Sequence, residues 1–131
     1  MSFGNNTRQI RIGGPVSPAV KTLLIVNFGI FIIQQIAGLM VPGLADSLFG
    51  LSHEGLVYRH FVWQPFTYMF LHGGWLHIFF NMFALWMFAG DLERVWGTKR
   101  FIRYYLFSGI GAGVCIALMN WFIAVKYGVA E

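Results

Sequence analysis

Three long stretches of the sequence carry no formal charge. The segments 22–45, 60–90 and 104–125 contain no Asp, Glu, Lys or Arg, and each holds 22 or more residues. About 20 apolar residues in a helix are enough to cross the hydrocarbon core of a bilayer. This spacing of charges predicts an all-α membrane protein with three transmembrane helices.

The apolar content within these stretches places the spans more closely. We expect helices over about residues 22–41, 74–90 and 104–125. The glycines, asparagines and prolines of residues 1–18 predict a flexible N-terminal lead. Residues 19–131 are then one domain.

The composition excludes two classes of protein. Charged residues make up 11% of the chain and hydrophobic residues 57%, against roughly 25% charged residues in an ordinary soluble domain. A disordered chain and a nucleic-acid-binding arm both need far more charge. We therefore expect the lipid bilayer as a partner and no nucleic acid.

The basic residues predict the orientation of the chain. Seven of the nine Lys and Arg residues precede the first span or lie between the second and third spans. Only Arg59 lies between the first two spans, and only Lys126 follows the third. Because cytoplasmic loops carry an excess of Lys and Arg, we expect the N-terminus in the cytoplasm.

The first connection, about residues 42–73, is unusually apolar for a loop. It is rich in Phe, Trp, Tyr and Leu, and the segments 46–51 and 54–57 resemble short amphipathic pieces. Backbone at membrane depth is tolerated only where protein buries it or it lines water. We expect this connection to lie partly in the outer leaflet, packed on the helices.

Small and amide residues indicate where the spans pack. Asn27 and Gln34 are seven residues apart, so they share one face of the first span with Gly38, and that face is expected to meet other helices. Gly109 and Gly113 form a small-xxx-small pair in the third span, which we interpret as packing glycines.

His77 and Asn81 are the polar pair of the second span. They are four residues apart and share a helix face, which continues through Ala84 and Phe88. A polar pair in a span should face the bundle or a water-filled cavity. Both side chains can donate hydrogen bonds, as an oxyanion hole requires. From spacing alone, bonding to neighbouring helices is the favoured alternative.

Other reactive residue types carry weaker signals. A zinc-type site needs three or four ligands. The four histidines are His53, His60, His72 and His77, and because the first two lie on a loop whose geometry the sequence does not fix, we expect no metal site. Ser108 is the only serine within a span and is expected at a different depth from His77. Cys115 is expected to be a buried, inert residue, and Asp91 to form an interfacial ion pair with Arg94.

Three blocks of sequence together resemble the rhomboid intramembrane serine proteases. They are the segment 63–72, WQPFTYMFLH; the pair His77-x-x-x-Asn81; and the segment 90–97, GDLERVWG, which contains Glu93. The resemblance runs from the first span to the third.

The resemblance implies a rhomboid-like helical bundle of six transmembrane helices, of which three are present here. It implies that His77 and Asn81 help to stabilise the oxyanion beside a catalytic serine. It also implies supporting roles for His72 near that site, for Glu93 as a tie between helices and loops, and for Trp63 in the membrane-embedded loop. No metal or cofactor is required.

Two departures from the family pattern qualify these expectations. The loop motif is often Trp-Arg in the family but is Trp63-Gln64 here, and the 131 residues contain no Gly-x-Ser-Gly and no later-span histidine. We therefore expect the N-terminal portion of a protease of the bacterial inner membrane, acting on single-pass membrane proteins and inactive as this chain alone.

Two alternatives stay open at this point. One is a non-catalytic rhomboid-like protein that binds transmembrane clients and forms oligomers or complexes to satisfy its polar faces. The other is a channel or transporter subunit, which has less support because no charged residue lies in the middle of a span.

Overall fold

The computed structural model describes residues 14–128, and it is helical throughout with no strand in that range. Three of its helical segments are long and apolar enough to cross a membrane: Pro18–Met40, Trp75–Trp96 and Thr98–Tyr127. These are the first, second and third spans below. The predicted all-α fold with three spans is confirmed. Most of the predicted flexible lead, residues 1–13, lies outside the described residues.

Helix α1, Pro18–Met40, forms the first span. Proline at the first helical position suits a helix start, because its missing N–H would have no intrahelical partner there. The helix ends before Val41-Pro42, where proline disfavours helical geometry for the preceding residue. The span begins four residues earlier than the sequence predicted.

The first connection is built from short helical pieces. Helix α2 covers Leu44–Phe49, a single wide turn covers Glu54–Tyr58, and helix α3 covers Gln64–Thr67, followed by a tight turn at Tyr68–Phe70. Short helical pieces therefore lie at both segments, 46–51 and 54–57, where the sequence predicted short structured pieces, and their amphipathic character stays a prediction.

The second span contains a local change of winding. Helix α4, Trp75–Ala84, is followed by a π turn at Leu85–Ala89 and then by helix α5, Gly90–Trp96. Such wide turns within α-helices occur often at functional sites.

A glycine separates the second span from the third. Gly97 has φ +80°, a backbone conformation that favours glycine, and helix α6 begins directly after it at Thr98. Helix α6 runs to Tyr127 and ends at Gly128 in the left-handed conformation typical of helix C-termini.

The buried apolar core lies at the α5 end of the second span. It is formed by side chains of the first span, the π turn and α6, namely Ala19, Val20, Leu23, Ala89 and Phe101. Elsewhere the spans leave large apolar side chains exposed, among them Leu39 and Phe107, as suits a surface that faces lipid tails.

Glycines of α6 pack against the first connection. A Cβ atom on Gly113 would lie 2.5 Å from a ring carbon of Tyr68 and 3.0 Å from the backbone oxygen of Pro65, and one on Gly109 would overlap the Met69 side chain. The predicted packing role of this glycine pair is confirmed, although its partner is the connection and not another span. The similar expectation for Gly38 is wrong, because nothing lies within 4 Å of a Cβ there.

Candidate functional site

His77 and Asn81 lie one turn apart on α4, and both side chains are exposed. They line a cavity of about 670 Å³, which we call the His77–Asn81 cavity. Its walls come from the second span, the end of the first connection and α6, together with Asn27 of α1. Ala84 and Phe88, which continue the same helix face, line it as well.

The His77 ring is held by the backbone just before α4. The Gly73 N–H donates a hydrogen bond to His77 Nδ1 at 3.2 Å. The His72 ring lies edge-on to the His77 ring, with 5.3 Å between the ring centroids. The two histidines of this segment therefore form one unit at the start of the second span.

His72 is buried, with 2% of its surface exposed. Its Nδ1 lies 3.1 Å from the Phe70 carbonyl oxygen, and its ring meets the Phe31 ring of α1 edge-on. Burial lowers the pKa of the His72 imidazole, because the charged form loses its hydration. His72 lies beside His77 and also lines the His77–Asn81 cavity.

Two amides of α1 reach this region. The Gln34 amide makes two hydrogen bonds with the backbone of His72, each 3.1 Å long. Asn27 is buried, donates to the Leu23 carbonyl oxygen at 2.8 Å and lines the His77–Asn81 cavity. The face was expected to meet other helices, but the partner of Gln34 is the backbone of the first connection, and the hydrogen bond of Asn27 lies within α1.

The structure places two further reactive side chains of α6, Ser108 and Cys115. Ser108 lines the same cavity as His77, and the expected difference in depth between the two residues stays a prediction. No hydrogen bond joins their side chains in the described part of the chain. The prediction that Cys115 is buried is wrong: it is exposed on α6, because that helix is covered on one side only.

Glu93 joins three segments at the opposite end of the second span. Its carboxylate accepts hydrogen bonds from the backbone N–H groups of Ala19 and Val20, with the shortest at 3.1 Å, and from the Thr98 hydroxyl at 2.7 Å. These N–H groups belong to the first turn of α1 and have no partner within that helix. We call this arrangement of Ala19, Val20, Glu93 and Thr98 the Glu93 corner.

Arg94 of α5 also binds the backbone just before the first span. Arg94 forms an ion pair with Asp91 at 2.6 Å and donates to the Pro15 carbonyl oxygen at 2.5 Å. The predicted ion pair of Asp91 with Arg94 is confirmed.

Trp63 and Gln64 bind the pieces of the first connection together. Trp63 Nε1 donates to the Leu48 carbonyl oxygen at 2.9 Å, and its ring stacks on Phe61. Gln64 is fully buried; its Oε1 accepts from the Ser52 N–H at 3.2 Å. The glutamine that stands where the family often has arginine is therefore a neutral anchor of this loop.

Sequence reasoning missed the partners of Gln34 and Gln64. Both are amides in apolar surroundings, and a buried amide needs hydrogen-bond partners; that signal could have marked them, although it names no partner. Among residues 14–128, no three His, Cys, Asp or Glu side chains are grouped so that they could hold a metal ion.

Comparison with known proteins gives a family for this architecture. The model of the Rhomboid domain matches residues 59–127, which include the end of the first connection and the second and third spans. No solved structure matches the chain at a significant level.

Individual relatives agree with this match. The chain is 35% identical to RHOMBOID-like protein 1 of Arabidopsis thaliana over 75 residues, which cover 57% of this chain and 19% of that protein. It is 35% identical to Rhomboid protease GluP of Bacillus subtilis over 66 residues, which cover 50% of this chain and 13% of that protein. It is 30% identical to Rhomboid protease GlpG of Yersinia enterocolitica over 100 residues, which cover 76% of this chain and 34% of that protein.

The matched regions span about a third or less of the length of these relatives. Within that portion, the family match covers more than half of the chain and coincides with two of the three apolar spans. The protein is a multi-pass integral membrane protein, and it belongs to the rhomboid family.

Proposed function

We propose that this chain supplies the oxyanion-stabilising part of an intramembrane serine endopeptidase that cleaves single-pass membrane proteins. The observation that carries the proposal is the placement of two hydrogen-bond donors, His77 and Asn81, on successive turns of one helix, both lining one cavity. The cavity has mostly apolar walls, in which a donor stabilises developing charge more strongly than it does in water.

The chemistry assigned to these residues is the stabilisation of negative charge. When a serine hydroxyl attacks a peptide carbonyl, the carbonyl oxygen becomes an anion in the tetrahedral intermediate. A ring N–H of His77 and the amide N–H of Asn81 would donate to that oxygen. Loss of one such donor typically costs a factor of about 100–1000 in kcat.

The nucleophile and the general base are assigned outside these 131 residues. In the resembled family pattern the serine lies in a Gly-x-Ser-Gly motif, which this sequence does not contain. The base would take the serine proton and then return it to the leaving amine. The 131-residue chain by itself is therefore expected to be inactive.

The remaining assignments concern support and setting. Residues 19–131 form a partial rhomboid domain after the lead of residues 1–18. Glu93 and Trp63 hold the frame around the site, and His72 supports the position of His77. The distribution of Lys and Arg supports a cytoplasmic N-terminus, and we assign the protein to a bacterial inner membrane.

A second candidate function follows from the open side of the site. His77 and Asn81 are exposed in this chain, and polar side chains exposed within a span need partners. A transmembrane client could occupy the cavity without being cleaved. This function would require stable complexes with single-pass proteins and no reaction with serine-directed reagents.

A fluorophosphonate probe, which labels activated serines, distinguishes the two functions. The native gene product and the 131-residue chain would be treated in proteoliposomes together with a single-pass substrate. We expect cleavage and labelling at a serine outside residues 1–131 in the native product, and neither in the 131-residue chain. Labelling at Ser108 would contradict the assignment, and a native product that binds the substrate without cleavage or labelling would favour the client-binding function.

A further inference from the structure

We infer that Gln34 is a positioning residue for His77: its amide holds the His72 peptide so that the Gly73 N–H fixes the His77 imidazole with its proton on Nε2. This inference deepens the proposed function and rests on it for its catalytic meaning. Gln34 lies outside the motifs that carry the family resemblance.

The Gln34 amide forms a closed pair of hydrogen bonds with one residue of the backbone. Its Nε2 donates to the His72 carbonyl oxygen, and its Oε1 accepts from the His72 N–H, both at 3.1 Å. Only one orientation of the amide satisfies both bonds, so the assignment of its oxygen and nitrogen is determined. The same Nε2 lies 3.4 Å from Asp46 Oδ1, which favours that orientation further.

This pair fixes the peptide that leads into Gly73. The His72 carbonyl belongs to the same planar peptide unit as the Gly73 N–H. Holding that carbonyl with Gln34 therefore also sets the direction of the Gly73 N–H, which donates to His77 Nδ1 at 3.2 Å. Gln34 thus acts on His77 through a single rigid peptide plane.

The bond from Gly73 determines which nitrogen of His77 carries the proton. A nitrogen that accepts a hydrogen bond cannot itself be protonated, so the neutral ring has its proton on Nε2. The ring lines the cavity, where this Nε2–H is the donor that an oxyanion would use. A ring protonated on Nδ1 would present a lone pair instead.

His72 has the opposite arrangement. Its Nδ1 lies 3.1 Å from the Phe70 carbonyl oxygen, which can only accept, so the proton of the neutral ring is on Nδ1. The two adjacent histidines therefore carry their protons on different ring nitrogens, and each proton is set by a backbone group.

Nuclear magnetic resonance of the 131-residue chain in lipid bicelles tests this inference without substrate. Ring ¹⁵N shifts recorded at about pH 8 report which ring nitrogen carries the proton. A scalar coupling across the hydrogen bond between Gly73 N and His77 Nδ1 reports that bond directly. We expect the coupling, a proton on Nε2 of His77 and a proton on Nδ1 of His72.

The variant Gln34→Leu should lose the coupling and show His77 in both tautomers. Gln35→Leu is the matched control, because Gln35 is the adjacent amide and has no hydrogen bond from its side chain among residues 14–128; it should leave the coupling unchanged. Gln34→Glu keeps the oxygen that accepts from the His72 N–H but, when ionised, has no N–H to donate to the His72 carbonyl oxygen. The coupling should therefore weaken in this variant. If Gln34→Leu does not fold, Gln34→Glu provides the test.

An unchanged coupling in the Gln34 variants, or a His77 proton on Nδ1 in the unmodified chain, would overturn the inference. The proposed function fails separately. A native product that cleaves no substrate while the 131-residue chain shows the coupling would contradict only the protease assignment. Cleavage by the native product without the coupling would contradict only the role of Gln34.

Discussion

The two ends of the second span use polar residues in opposite ways. At the Glu93 corner the carboxylate is buried, 4% exposed, and accepts hydrogen bonds from α1 and from Thr98. In the His77–Asn81 cavity, both polar side chains are exposed. A buried polar group whose partners all lie in the chain stabilises the fold, whereas exposed donors on one wall remain available for a ligand.

The energetic consequences of this difference are separable. Removing one partner of a buried hydrogen-bonded group leaves the other partners unsatisfied, which costs about 1–3 kcal/mol for each group. Replacing an exposed side chain usually changes the free energy of unfolding by no more than about 0.5 kcal/mol. The Glu93 corner should therefore control stability, and the His77–Asn81 cavity should control activity.

The largest effect on stability is expected at the Glu93 corner. Glu93→Ala leaves the first-turn N–H groups of α1 without their acceptor, and we expect the free energy of unfolding to fall by about 2–4 kcal/mol. Denaturant titration of the chain in mixed micelles measures this change. The control is Glu54→Ala, since Glu54 is exposed and its one ion-pair partner among residues 14–128 is the exposed Arg59; it should cost no more than about 1 kcal/mol. An equal loss of stability in Glu93→Ala and Glu54→Ala would contradict the stabilising role of the Glu93 corner.

A smaller effect is expected where α6 packs on the first connection. Gly113→Ala pushes a methyl group towards Tyr68 and the Pro65 backbone, and such overpacking typically costs about 1–3 kcal/mol. Gly111 lies two residues away with nothing within 4 Å of its Cβ position. Gly111→Ala should therefore stabilise the helix by up to about 1 kcal/mol. The same titration measures both variants, and a loss in Gly111→Ala would contradict this packing.

The smallest effect is a loss of stability in mild acid. Because burial lowers the pKa of His72 in the folded protein, the unfolded chain binds a proton on this ring more readily. The contribution of His72 to the free energy of unfolding should be constant well above about 6.5, the ordinary histidine value, and should fall as the pH drops below it. Denaturant titrations at several pH values below about 6.5 measure this loss of stability. The loss should be smaller in His72→Gln. An equal loss in His72→Gln would mean that groups other than His72 cause it.

Much of the fold was predictable because membranes impose a simple rule on sequence. The charge-free segments predicted three helices that the structure contains. Each helix is longer than predicted, because helical geometry continues past the apolar run into charged residues: the first begins at Pro18, the second ends at Trp96 and the third begins at Thr98. The packing glycines were also predictable as small residues. Their partner was not, because a pattern within α6 carries no information on which segment lies against it.

The candidate site was predictable in part. The spacing of His77 and Asn81 predicted a shared face, and both residues do line one cavity. The Gln34 bonds to His72 link residues 38 positions apart, and no local periodicity encodes such a contact. Gln64 was treated as a departure from a family motif, whereas its burial shows a neutral residue anchoring the loop.

The oxyanion role of Asn81 is tested by Asn81→Ala in the native gene product, with kcat, KM and the free energy of unfolding measured together. Asn120→Ala is the matched control, an asparagine on α6 that does not line the cavity. We expect a fall in kcat of roughly 100–1000-fold for Asn81→Ala, with KM and stability nearly unchanged, and no fall for Asn120→Ala. An unchanged kcat in Asn81→Ala, or a fall that is matched by lost stability, would contradict it.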